Sequence, residues 1–252
     1  MPEAVGESRR HRYLQAMQVD VWLPRDRHTG GASDSAAAAA DAAIPATVLS
    51  DAAHAYGAGE VASMPLAALE STVVNCHLCA LASARTKTVF GSGDAGARCM
   101  IIGEAPGAEE DRRGEPFVGR AGQLLNAMLR AMGLSRDAAY IANIVKCRPP
   151  KNRDPKPEEM LACSPYLRRQ IALIRPQVIL AVGRVAAQHL VGSTVPIGKM
   201  RGQRYFYENA DDGARIPIVV TYHPAYLLRS PLEKRKSWED LRLARQLLES
   251  PQ

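Results

Sequence analysis

RCMIIGE, residues Arg98–Glu104, is a short apolar run that breaks off at a glycine and a carboxylate. An apolar run without polar alternation is the mark of a strand covered on both faces, as in a parallel sheet. Three more stretches read the same way: AYIANIV (Ala139–Val145), QVILAVG (Gln177–Gly183) and PIVVTYHP (Pro217–Pro224). Helical patterns separate them. GRAGQLLNAMLRAMG is amphipathic and ends on Gly133. PEEMLACSPYLRRQIALI opens on Pro157, whose missing N–H is harmless in a first helical turn. Helices also fit Arg184–Val191 and roughly Glu233–Leu248. Strand and helix in alternation predict an α/β fold: one three-layer α/β/α domain around a central, mainly parallel four-stranded sheet. Sites in such folds lie at the carboxyl ends of the strands. GEAPG follows the first strand, Asn143 lies in the second, and YHPAYLLR closes the fourth.

The chain has 252 residues, 46% of them hydrophobic, enough for a sizeable core and too many for a wholly disordered protein. No run of eighteen apolar residues occurs, and MPEAVGESRRHR has no apolar stretch behind its charges. We therefore expect a soluble, cytoplasmic, monomeric protein without a secretory signal or membrane contact. Charge is unevenly spread. Met1–Ala84 holds 5 Lys and Arg against 9 Asp and Glu, whereas Arg85–Gln252 holds 27 against 17. The second part is basic, as suits a surface that meets phosphates.

Composition divides the chain. Residues 1–28 contain RRHRYLQAMQVDVWLPR, read as a short amphipathic helix followed by an extended segment. Residues 29–64 are rich in Ala, Ser, Gly and Asp, without Lys or Arg from Gly30 to Met64, and read as a flexible linker. The folded domain is expected over residues 65–252.

Five cysteines in a cytosolic chain favour metal or catalytic use over a disulfide framework. Cys76 and Cys79 form a C-x2-C pair in VVNCHLC; Cys147 ends the second strand, and Cys163 lies in the next helix. Between the last two runs a charged, proline-rich loop that a metal could pin. Cys99, inside the first strand, reads as an ordinary core thiol. The other four make a thiolate set suited equally to tetrahedral zinc or to an iron–sulfur cluster.

Taken in order, GEAPGAEEDRRGEPFVGRAGQLLN, ANIVKCRPPKNRDPKPEEMLAC and YHPAYLLR resemble the family 4 uracil-DNA glycosylases, the iron–sulfur enzymes of that superfamily. The resemblance covers roughly Leu69 to Leu248. It implies hydrolysis of the bond between uracil and deoxyribose in DNA, in base excision repair, by a nucleoid-associated bacterial protein. It also implies a [4Fe-4S] cluster on Cys76, Cys79, Cys147 and Cys163. Phe117 matches the family's aromatic that stacks on the base, and Asn143 the side chain that reads the pyrimidine edge. An Asn in an otherwise apolar strand is costly unless it has a task. His223 would stabilise the charge on the departing base. Gly103, Glu104 and Ala105 form the first pocket loop. Ala105 stands where more distant uracil glycosylases carry a water-orienting Asp, which leaves Glu104 as the nearest carboxylate for that work. Glu109 lies where the family places a side chain beside C5 of the base, although GAEED also reads as a solvated acidic helix start. Leu227 or Leu228 would wedge into the duplex, with Arg229 on a phosphate; the plainer reading has both leucines capping the core.

A histidine-bearing basic insertion, by which a related group forms covalent DNA adducts, is absent from RPPKNRDPKPEEML. An alternative function is a non-catalytic uracil-DNA sensor or replication-coupled adaptor. The N-terminal segment faintly resembles the peptide of the clamp-loader psi subunit that docks on the chi subunit. That offers the chi subunit or single-strand-binding protein as a partner of residues 1–28; the plainer reading folds the segment back onto the glycosylase domain.

Overall fold

The computed structural model describes residues 58–209 and 213–250; the expected docking segment and most of the expected linker lie outside them. The strands are β1 (Ser92–Gly93), β2 (Cys99–Gly103), β3 (Tyr140–Asn143), β4 (Val178–Val182), β5 (Tyr205–Glu208) and β6 (Arg215–Thr221). The helices are α1 (Ala58–Ser63), α2 (Leu66–Val74), α3 (Ala108–Arg113), α4 (Arg120–Ala131), α5 (Pro157–Ile174), α6 (Arg184–Val191), α7 (Ile197–Met200), α8 (Pro224–Arg229) and α9 (Lys234–Glu249).

The sheet runs β1-β3-β2-β4-β6-β5. Its four central strands are parallel and are the four read from the sequence; β1 and β5 add antiparallel edges, so the sheet is six-stranded rather than four-stranded. β1 has only two residues and no apolar signature, and β5 alternates half-buried Tyr205 and Tyr207 with exposed Phe206 and Glu208. A one-faced edge strand carries half the apolar signal of a central one.

Alternation along each strand sends its side chains into two cores. Met100, Ile102, Ala142, Ile179, Ala181, Ile218 and Val220 pack under α1, α2, α5 and α6. Cys99, Ile101, Ile141, Val178, Leu180, Val182 and Val219 pack under α4, α8 and α9. This gives the three layers. Cys99 is fully buried, and burial pushes its thiol up to about 12, as befits a core residue. The stretch read as linker up to Met64 ends differently: α1 is helical and Val61 is buried in the first core. Its few apolar side chains find an existing groove to fill, which composition alone does not reveal. Among the described residues, no helix is long and apolar enough to cross a membrane.

Candidate active site

Because β3 and β4 flank β2 on opposite sides, the chain reverses its winding at β2, and a crevice opens at the carboxyl ends of these strands. Gly103, the last residue of β2, is paired in register with Asn143, the last of β3. A Cβ on Gly103 would lie 2.5 Å from Asn143 Oδ1 and 2.7 Å from Phe117 Cζ. Only a bare backbone lets those two side chains meet at the strand end. Asn143 is 1% exposed, and its Oδ1 has no hydrogen-bond partner. A buried acceptor left unpaired costs about 1–3 kcal/mol, so the site is poised for a donor from outside the chain.

Phe117 reaches the crevice through a strained turn, at φ 52°. Arg136 holds that turn, donating from Nη1 to Phe117 O at 3.3 Å and from Nη2 to Pro116 O at 2.5 Å. Gly122, in the first turns of α4, lets the turn sit close: a Cβ there would fall 1.7 Å from Phe117 O. The Phe117 ring stands 5.7 Å, centroid to centroid, from the imidazole of His223 at a 31° tilt.

His223 caps α8, its Nδ1 accepting from Ala225 N–H at 3.1 Å. With Nδ1 acting as acceptor, the ring proton sits on Nε2. Burial, reinforced by the charge of Arg229 and opposed by that of Glu110, lowers the imidazole to about 4. His223 is therefore a neutral donor at physiological pH. Glu104 is half-buried one residue past Gly103; desolvation first, and the neighbouring Asp154 next, push its carboxyl up to about 7, with Arg184 opposing. Ala105 is half-buried against the first core.

Three expected residues are placed differently. Glu109 is exposed and bridged to Arg112 at 2.6 Å, on the solvent side of α3. Its neighbour Glu110 turns inward, its Oε1 accepting from Val118 N–H at 2.9 Å and Gly119 N–H at 3.1 Å beside the Phe117 turn. Successive helix residues point about 100° apart, and only docking of α3 decides which of two glutamates faces in. Leu227 is fully buried in the second core and cannot reach DNA, and Leu228 is half-buried against it. Leu232, on the 3-10 turn Pro231–Glu233 just beyond α8, is 91% exposed. Of the nearby cations, Arg229 and Arg235 are exposed, whereas Lys234 is buried and Lys236 pairs with Glu233. In the cysteine loop, Arg153 grips Glu159 and Lys151 is exposed.

Cys76, Cys79, Cys147 and Cys163 line one cavity, together with Val73, Leu78, Ala82, Arg85, Lys146, Ala162 and Tyr166. Arg85 donates to Cys76 O at 2.7 Å, Val74 O at 3.1 Å and Cys147 Sγ at 3.2 Å. Lys146 N–H points at Cys163 Sγ at 3.4 Å. The buried Lys146 ammonium donates to Asn143 O at 2.9 Å and Gln170 Oε1 at 2.5 Å, joining the wall of this cavity to the end of β3. Among the described residues, no group of three or more His, Cys, Asp or Glu side chains is placed to hold a metal ion.

Residues 90–242 match the Uracil DNA glycosylase superfamily. Similar curated proteins include the type-4 uracil-DNA glycosylase of Saccharolobus solfataricus, 45% identical over 71% of this chain and 84% of the relative. That of Sulfurisphaera tokodaii is 41% identical over 73% and 84%, and that of Thermotoga maritima 45% over 63% and 80%. The chain belongs to the type-4 uracil-DNA glycosylase family of this superfamily.

Proposed function

We propose that the protein removes uracil from DNA, leaving free uracil and an abasic site. The observation that carries this reading is the convergence of Phe117, Asn143 and His223 around Gly103, with a buried acceptor on Asn143 left unpaired. A base must leave the duplex stack before its glycosidic bond can be reached. The flipped uracil would stack on Phe117. Asn143 Oδ1 would accept from N3–H while its amide donates to O4, a pairing that rejects cytosine, whose N3 bears no hydrogen. As the N1–C1′ bond breaks, its electron pair stays on the base and positive charge develops on the sugar. The Nε2–H of neutral His223 would donate to O2, where the negative charge collects. Such a donor stabilises the leaving anion without first losing a proton of its own. Water then adds to C1′ and releases a proton, and uracil leaves. Glu104 is the carboxylate proposed to hold that water. Glu110, rather than Glu109, takes the proposed role of excluding the methyl group of thymine.

The test is excision on single-stranded, U·G and U·A oligonucleotides. Free uracil and alkali-labile sites are the expected products; binding of uracil-containing DNA without release would favour the sensor instead. Leu232, rather than Leu227, is the apolar side chain available to fill the gap in the duplex, with Arg229 and Arg235 on the phosphates. Leu232→Ala is expected to slow excision from duplex by about tenfold, part of the few kcal/mol that unstacking costs. Excision from single strands should hardly change, and equal rates on both substrates would remove Leu232 from this role.

The four-thiol cavity is proposed to hold a [4Fe-4S] cluster. Zinc gathers four sulfurs at about 2.3 Å from one ion. A cluster takes one thiolate on each iron, so its ligands stand apart around a wider group. Four thiols lining one cavity, with Arg85 and a backbone N–H directed at two of them, supply the donor set, and the resemblance to the iron–sulfur family 4 enzymes supports the cluster over a single zinc ion. When bound, the cluster supplies a structural tie between the segment before the sheet and the loop after β3. A cytoplasmic, monomeric enzyme and a replication partner for residues 1–28 remain proposals from the sequence.

A further inference from the structure

The turn that carries Phe117 into the crevice is gripped at four peptide groups in succession. Arg136 donates from Nη2 to Pro116 O at 2.5 Å and from Nη1 to Phe117 O at 3.3 Å. Glu110 Oε1 then accepts from Val118 N–H at 2.9 Å and Gly119 N–H at 3.1 Å. Phe117, in the middle, has φ 52°, a left-handed backbone that a bulky side chain seldom adopts. Such a conformation persists where its surroundings over-determine it. Pro116 and Phe117 are both buried. Taking the guanidinium away would leave their two carbonyls without a donor, and the turn would relax toward water to find one. The Phe117 ring would move with it, away from Gly103 and His223.

Arg136 is itself held in place. It lies in the connection between α4 and β3, nineteen residues beyond Phe117. Asn126 Oδ1, on α4, accepts from Nη1 at 3.2 Å, and Glu115 Oε1 accepts from Nη2 at 3.2 Å. A guanidinium presents its donors in a rigid planar fork, so one side chain can take two consecutive carbonyls while two further acceptors fix its own orientation. A lysine ammonium at the end of a flexible stem has no such fork.

We propose that Arg136 is a positioning residue for excision: its guanidinium keeps Phe117 in the left-handed turn from which the ring stacks on the flipped base. This rests on the assignment of the pocket to uracil excision. The effect of Arg136 on the reaction passes through the Phe117 ring. A residue that acts through another loses its effect once that other side chain is gone, and a double-mutant cycle measures this directly.

The experiment compares the unaltered enzyme, Arg136→Met, Phe117→Ala and the double variant on single-stranded uracil DNA. Single-turnover rates are taken below saturation, so that the second-order constant includes capture of the base, and melting curves are recorded alongside. Stacking on one aromatic ring is worth about tenfold or more, so Arg136→Met is expected to slow excision by about tenfold when Phe117 is present and by less than about twofold when it is Ala. A merely structural role would slow both backgrounds by the same factor, and that result would overturn the proposal. A native rate in a folded Arg136→Met variant would overturn it as well. Should the Met variant fold poorly, Arg136→Lys keeps the charge without the fork. Its expected loss is smaller and again confined to the background that retains Phe117; equal losses in both backgrounds would count against the proposal. Absence of excision by the unaltered enzyme would instead overturn the assignment of the pocket.

Discussion

His223→Ala and Asn143→Ala are each expected to slow single-turnover excision of uracil by about 10²-fold or more, the usual loss when one donor to a developing anion is removed. The fold should survive both changes. His223 is half-buried, and the one hydrogen bond its imidazole makes among the described residues is the local Ala225 N–H cap of α8. Asn143→Ala removes an acceptor that has no partner within the chain, so it abolishes no internal bond of that oxygen. The two losses should differ in kind. Asn143 meets the base before and during bond breakage, so its loss should weaken binding of the flipped base as well as the rate. His223 acts on charge that exists only as the bond breaks, and its loss should appear in the rate at saturating enzyme. Near-normal excision in either variant, with an unchanged melting curve, would contradict the assigned role.

Cys147→Ser and Cys163→Ala are expected to strip iron and inorganic sulfide from the anaerobically purified protein, with its brown colour, and to lower its melting temperature sharply. Both thiols are buried in the cavity wall, so without the cluster the chain must close over an apolar hollow or open to water there. The tie between the segment carrying Cys76 and the loop after β3 would then rest on Arg85 and its three acceptors. Cys99→Ala is the control. That thiol lies in the opposite core, under α4 and α9, and its replacement should leave the colour intact. Iron at full content in the Cys163 variant, or zinc in place of iron in the unaltered protein, would overturn the cluster assignment.

The amino-acid sequence by itself determined the parallel heart of the fold and the residues that meet at its carboxyl edge. Central strands buried on both faces must be apolar throughout, and a polar residue at such a strand end stands out against that background; Asn143 and His223 were legible for this reason. The cysteine set was legible because thiols are few and all four lie outside the strands, whereas Cys99 lies within one. Tertiary structure alone decided what depends on which way a side chain faces. Glu109 and Glu110 are neighbours of identical chemistry, and the docking of α3 turns one to solvent and the other to the Phe117 turn. Leu227, Leu228 and Leu232 are likewise the same residue type in one short stretch, and the packing of α8 on α4 buries the first while leaving the last in water.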